Sequence, residues 1–93
     1  MVVGVLRVEL FISDGFTLKD KRRVVKSLLD RLQHRFNVSA SEVDRQESKT
    51  HAVLGVACVA NEAAHVERVL RAALRLVESE PRAVVEDCGF EFC

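Results

Sequence analysis

Five cationic side chains crowd one short segment near the start of the sequence. They lie between Thr17 and Lys26, and we call them the basic cluster: Lys19, Lys21, Arg22, Arg23 and Lys26. The segment has the pattern of a helix N-terminus, where unpaired N–H groups already carry partial positive charge. Cations placed there repel one another and the backbone, and a bound anion would relieve that repulsion. The cluster therefore predicts contact with phosphate groups, such as those of RNA.

The other reactive side chains predict neither catalysis nor a metal site. No histidine stands at a spacing that would pair it with a nucleophile. Cys88 and Cys93 are five residues apart in a predicted strand, so their thiols point to opposite faces. The glycine patterns of phosphate-binding loops and dinucleotide folds are missing from the sequence. We expect a protein that is not an enzyme and has no cofactor.

Charge is distributed unevenly along a chain whose formal net charge is zero. Residues 1–40 hold eight Lys and Arg against four Asp and Glu, and residues 41–93 hold six against ten. Ninety-three residues are enough for one domain, residues 1–93. A fold either keeps the two charges apart as basic and acidic regions or mixes the halves in space.

Hydropathy and cysteine content favour a cytoplasmic protein. No apolar run approaches the roughly 20 residues that a membrane span requires. The N-terminus lacks a basic start before an apolar core, so we expect no secretory signal and no membrane contact. Three cysteines, an odd number, are expected to be reduced thiols, with Cys58 in the core.

Hydrophobic periodicity predicts six elements in the order β-α-β-β-α-β. They are a strand at Met1–Ile12, a helix from about Leu18 to Phe36 capped by Thr17, a strand at Asn37–Asp44, a polar loop at 45–50, a strand at His51–Ala60, a helix capped by Asn61 and stopped by Pro81, and a strand at Ala83–Cys93. In the last strand, Val84, Cys88, Phe90 and Phe92 are expected to share one face.

Lys21 breaks the pattern of the first helix. At 3.6 residues per turn its side chain falls within the apolar stripe formed by Val25, Leu28 and Leu32. A lysine there must either extend past the edge of the sheet or meet an anion.

This element order predicts an α+β fold of the ferredoxin-like type. The expected sheet has four antiparallel strands, with the first and third in the centre, and both helices on one face. The uncovered face would expose the apolar residues Val3, Val5, Phe11 and Val53. An exposed apolar patch indicates a partner, and the simplest partner is a second copy of the chain.

Several segments resemble a family of small bacterial proteins, the domain-of-unknown-function 503 or YlxP-like family. They are Thr17–Leu28, Arg35–Ser39, Leu54–Ala57 and Asn61–Glu62. The resemblance implies a ferredoxin-like fold without an established activity. Genes of this family often neighbour those of translation and ribosome-maturation factors, which implies a link to RNA or to the ribosome. Loop 45–50 departs from the family because it has no aromatic residue.

Three functions follow as hypotheses, in order of preference. The first is a binding accessory that contacts RNA or a ribonucleoprotein through the basic cluster. Because the third strand has no aromatic residue, the contact would be to the backbone and not by base stacking on the sheet. The second is a homodimeric interaction module using the open sheet face. The third is a small-molecule sensor with its pocket at the turn Asp14–Gly15.

Overall fold

A single antiparallel sheet and two helices account for the regular structure of the chain. The computed structural model describes residues 1–13 and 17–93. Its elements are β1 (Val2–Ile12), α1 (Leu18–Arg35), β2 (Ser39–Asp44), β3 (His51–Ala60), α2 (Ala63–Glu78) and β4 (Ala83–Phe92). The strands are ordered β2-β3-β1-β4, and each neighbouring pair is antiparallel. This is the ferredoxin-like arrangement that the sequence predicted.

The core lies between one face of the sheet and the two helices. Alternate residues of β1 supply its floor, which the buried stripes of α1 and α2 cover: Leu6, Val8, Leu10, Ile12, Val24, Leu28, Leu32, Val66, Leu70 and Val77. Cys58 is buried among them, and burial raises the pKa of its thiol. Gly4 has no room for a side chain, since a Cβ there would meet Val66 and would lie 2.8 Å from Leu70 Cδ1. The absence of a Cβ lets α2 approach β1 closely.

The predicted helix caps are right for α1 and wrong for α2. Thr17 is extended and its Oγ1 accepts a hydrogen bond of 3.1 Å from the Asp20 N–H. α1 ends at Arg35, one residue earlier than predicted. The N-cap of α2 is Glu62 and not Asn61, and its side chain makes no capping hydrogen bond. Glu62 is still extended, with φ −130° and ψ 131°, so the helix begins at Ala63. With Asn61 as the N-cap it would have begun one residue earlier.

A β-bulge in β4 overturns one predicted face. Asp87 pairs with Glu9, but the next residue of β1, Leu10, pairs with Val85, so Glu86 is the extra residue. An extra residue reverses the alternation of side chains beyond it. Val84 therefore shares the open face with Phe11, opposite to Cys88, Phe90 and Phe92.

Candidate nucleic-acid interface

Lys21 is fully buried, and the prediction that it binds an external anion is wrong. Its Nζ lies 2.7 Å from Glu42 Oε2 on β2 and donates to the backbone carbonyls of Arg45 (2.7 Å) and Gln46 (3.4 Å). The side chain does meet an anion, one of the two outcomes expected from its position in the apolar stripe, but that anion is a carboxylate of the same chain. Lys21 thus ties the first turns of α1 to the end of β2.

The turn that Lys21 holds has unusual backbone geometry. Arg45 has φ 63°, in the left-handed region that residues other than glycine rarely adopt. The Arg45 N–H is held by Asp44 Oδ1 at 2.7 Å, and its carbonyl by Lys21. Glu42 Oε2 is buried, and among residues 1–13 and 17–93 its only polar contact is with Lys21 Nζ. That contact does not have the geometry of a good hydrogen bond. The pair therefore depends on charge attraction, and either group alone would be poorly satisfied.

Lys26 is exposed but has a carboxylate partner one turn along α1. Its Nζ lies 2.8 Å from Asp30 Oδ2. The hydrogen bond to Asp30, together with the negative charge of that group, raises the pKa of Lys26. An exposed pair of this kind is weak because water screens both charges, so an incoming phosphate could compete for Lys26.

Lys19, Arg22 and Arg23 are the part of the basic cluster that remains available. All three are exposed, and none forms an ion pair with a carboxylate of the described residues. They lie in the first two turns of α1, as predicted. Within the part of the chain that the structure describes, the five-residue cluster is therefore reduced to three cations without a carboxylate partner.

Positive charge is instead concentrated in the two helices as a layer. α1 and α2 together hold ten Lys and Arg against four Asp and Glu, a net charge of +6, and the rest of the sequence holds four against ten. We call the solvent-facing side of α1 and α2 the helical layer. Six of its cations lack a carboxylate partner among the described residues: Lys19, Arg22, Arg23, Arg35, Arg68 and Arg75. Positive charge is therefore concentrated in the helices, and negative charge in the rest of the chain.

An open cleft lies between the C-terminal parts of the two helices. It has a volume of about 600 Å³ and is lined by Arg31, His34 and Arg35 of α1 and by Leu76 and Ser79 near the end of α2, with Asp30 at its margin. The Arg35 guanidinium also stands 5.8 Å from the centre of the Phe36 ring. The cations of the cleft, Arg31 and Arg35, both belong to α1.

Arg31 connects this cleft to a buried carboxylate. Its Nη2 donates to Glu80 Oε1 at 2.6 Å, and Arg82 donates to the same carboxylate from its backbone N–H (3.0 Å), its Nε (2.9 Å) and its Nη2 (2.9 Å). The Arg82 hydrogen bonds, with a smaller contribution from Arg31, outweigh the effect of burial and lower the pKa of Glu80 to about 2. Glu80 therefore joins α1 to the turn between α2 and β4.

Three of the four residues of the predicted interface keep some exposed surface on the open sheet face. Val3, Val5 and Phe11 are half-buried on that face, and Phe11 contacts the His51 ring edge-on at 5.6 Å. Val53 is only 2% exposed, so it has no surface to offer a partner. In the strand register it lies between Glu9 and Asp44, whose longer side chains flank it. The prediction for Val53 is wrong for that reason.

Comparison with known proteins places the chain in a family. A family model described as a protein of unknown function, DUF503, matches residues 3–89. This chain belongs to the DUF503 family. The uncharacterized protein YlxP of Bacillus subtilis is 35% identical over 80 residues, which are 86% of this chain and 87% of that protein.

Two solved structures are similar to this DUF503 protein, and the first of them supports its fold. The de novo designed protein Foldit4 has a TM-score of 0.54 and 15% identity, with 99% of this chain and 94% of that chain covered. A dimeric ferredoxin-like protein of unknown function from Thermobifida fusca has a TM-score of 0.47 and 17% identity, covering 98% and 90%. At these identities the likeness concerns the fold alone.

Some sequence hypotheses concern other parts of the molecule. The proposed sensor pocket at Asp14–Gly15 falls outside the described residues. Within residues 1–13 and 17–93, no three His, Cys, Asp or Glu side chains come together as metal ligands. Neither helix of that part is both long and apolar enough to cross a membrane.

The contribution of α2 is what the sequence reasoning missed. A count of charges by halves of the chain separates α1 from Arg68 and Arg75. Counting charge by predicted element would have revealed the cationic helices, because the ferredoxin-like fold places both on one side of the sheet.

Proposed function

We propose that this DUF503 protein is a non-enzymatic binding accessory that contacts the phosphate backbone of structured RNA, alone or in a ribonucleoprotein, in the cytoplasm. The observation that supports the proposal most is the set of six exposed cations on the two helices that lack a carboxylate partner among the described residues. Phosphate contacts by Lys and Arg supply most of the affinity that does not depend on sequence. The cationic cleft between the helices is open to a phosphate group.

The contact surface is the helical layer, with Lys19, Arg22 and Arg23 at one end and the cleft residues Arg31 and Arg35 further along. The open sheet face suits RNA less well, because Glu9, Asp87 and Glu91 make it acidic. Among the described strands, the phenylalanine on this face is Phe11, whose side chain is half-buried against His51. Base stacking on the sheet is therefore not part of the proposal.

The test replaces Lys19, Arg22 and Arg23 together with glutamine. These residues are exposed, so the fold should be unaffected, whereas loss of Lys21 would perturb it. We expect RNA affinity to fall by about tenfold or more, and the slope of log K against log salt to flatten by about 2–3. Fluorescence anisotropy with a labelled RNA hairpin at several salt concentrations measures both quantities.

The matched control is Arg7→Gln, which removes an exposed cation from the opposite side of the protein. It should leave RNA affinity unchanged. Equal affinity and equal salt slope for wild type and the triple variant would refute the proposal.

A second candidate function, a homodimeric module, is favoured by exposed valines on the open face. Val43, Val59 and Val84 are each 54% exposed, and Val3 and Val5 adjoin Val59 across the β1–β3 ladder. If this face joins two copies, Val59→Arg should raise the dimer dissociation constant by at least about tenfold, because it buries an unpaired charge. Sedimentation equilibrium of wild type and variant measures this. An unchanged oligomeric state would remove this candidate.

A further inference from the structure

The outer edge of β4 is a separate surface that the helical layer does not involve. β4 lies at one side of the sheet and pairs with β1. Val3 and Cys93 exchange two backbone hydrogen bonds, of 2.8 and 3.4 Å. Bonded and non-bonded pairs alternate in an antiparallel ladder. The N–H and C=O groups of Cys88, Phe90 and Phe92 therefore point away from β1, toward the outer edge.

One hydrogen bond supports this orientation independently. The Cys88 N–H, which has no partner on β1, is held by its neighbour Asp87 through Oδ1 at 3.0 Å. The outward N–H groups of Phe90 and Phe92 have no such partner in the described part of the chain. From Asp87 to Phe92 the register is also free of bulges. This stretch can accept another strand.

The opposite edge of the sheet is a poorer template. β2 has six residues, and its register shifts between Glu42 and Asp44. The side chain of Gln33 on α1 lies 3.5 Å from the Ala40 N–H and covers part of that edge. Short, bulged and covered edges resist added strands.

A depression beside the β4 edge is acidic. It has a volume of about 270 Å³ and is lined by Val5, Arg7, Asp87, Cys88, Gly89, Phe90 and Glu91. A Cβ at Gly89 would meet nothing within 4 Å, so the space above it is open. Asp87 and Glu91 stand on either side of Gly89 and form no ion pair with the described residues, and Arg7, opposite Gly89 in the ladder, lies 3.5 Å from Glu9.

We propose that the β4 edge binds an extended protein segment in which Lys or Arg alternates with apolar residues. The segment would add a fifth strand through the outward groups of Phe90 and Phe92, as in β-strand addition. A Lys or Arg opposite Gly89 would lie over the open space, with Asp87 and Glu91 at the diagonal positions. Its alternate apolar residues would lie beside Phe90 and the half-exposed Phe92, on the helix side of the sheet.

Charge argues against a second copy of this chain as the occupant. A twofold pairing of β4 with itself would bring Glu86, Asp87 and Glu91 of both copies to one seam, with no cation on either strand. Like charges facing one another across strands are destabilising. The same carboxylates that discourage self-pairing attract a basic strand.

The probe for the test is a nine-residue peptide of alternating Lys and Val. We expect binding by fluorescence anisotropy, and hydrogen exchange of the Phe90 and Phe92 amides slowed at least about tenfold in the complex. Asp87→Asn with Glu91→Gln should weaken binding by about tenfold, while the new amide oxygen at position 87 can still accept from the Cys88 N–H. A peptide with Gln in place of Lys should bind the wild-type protein as weakly as the Lys peptide binds the double variant.

The matched control, Glu62→Gln with Glu78→Gln, makes the same change in net charge at the ends of α2 and should leave peptide affinity intact. Absence of binding, binding without protection of the two amides, or equal affinity for both double variants would each overturn the proposal. The proposal would also be overturned if, without peptide, protection of these amides increased with protein concentration. The occupant of the edge would then be a second copy of the chain.

Discussion

Replacing Lys21 with methionine should lower the free energy of unfolding by about 3–5 kcal/mol, the range found when one partner of a buried ion pair is removed. Methionine has a similar length, so the loss is electrostatic and not a cavity. Glu42 would keep its negative charge without a partner, and the Arg45 and Gln46 carbonyls would lose their donor. Urea unfolding at pH 7 measures the change, and a fall in Tm of more than about 10 °C should accompany it.

Two further variants separate the charge pair from general effects. Adding Glu42→Leu to Lys21→Met removes the stranded carboxylate, so the double variant should regain at least about half of the lost stability. Lys26→Met breaks the exposed pair with Asp30 and should cost far less stability than Lys21→Met, because water screens an exposed pair. Equal losses for Lys21→Met and Lys26→Met would show that the Lys21–Glu42 pair does not stabilise the fold.

The Lys21 result shows how far the sequence alone could go. Helical periodicity placed a lysine in an apolar stripe, which is correct, and a lysine there had either to extend past the edge of the sheet or to meet an anion. Nothing in the pattern distinguished an external phosphate from the Glu42 carboxylate, which belongs to a different element. That partner is defined only when β2 is laid beside α1.

Element order and the core were predictable because hydrophobic alternation and helical periodicity are local signals. The face of Val84 was not, because it depends on which residue of β4 is skipped at the bulge. That choice is made by pairing with β1, and no residue near Glu86 marks it. The exposure of Val53 was likewise decided by its neighbours on β1 and β2, and not by its own segment.

The candidate site was predictable in part. Lys19, Arg22 and Arg23 are exposed where the cluster placed them, since cations on the outer side of a helix need no tertiary partner. Arg31 and Arg82 both donate to Glu80. Arg82 is 2 positions from Glu80 in the sequence, whereas Arg31 is 49 positions away, so the Arg31 hydrogen bond is a tertiary contact. Sequence separation of that size hides the partner of a charged residue.

Glu80 provides the second large prediction, a loss of stability in acid. Its side chain is 4% exposed, and its pKa falls from an ordinary 4.5 to about 2 in the folded protein. A group whose folded pKa is depressed stabilises the fold fully above its unfolded pKa, and loses that contribution as the pH falls through the folded pKa. A difference of this size corresponds to at most about 3 kcal/mol, present above about pH 5 and lost progressively between about pH 4.5 and pH 2.

Glu80→Gln tests this directly, because an uncharged amide has nothing to titrate. At pH 7 the variant should be less stable than wild type by up to about 3 kcal/mol, and the difference should shrink toward zero near pH 2. Glu91→Gln, at an exposed position, is the control and should follow wild type at every pH. Urea unfolding at pH 7, 5, 3 and 2 gives all three curves. A constant gap between wild type and Glu80→Gln from pH 7 to pH 2 would mean that the guanidinium groups of Arg82 and Arg31 do not stabilise the ionised form of Glu80.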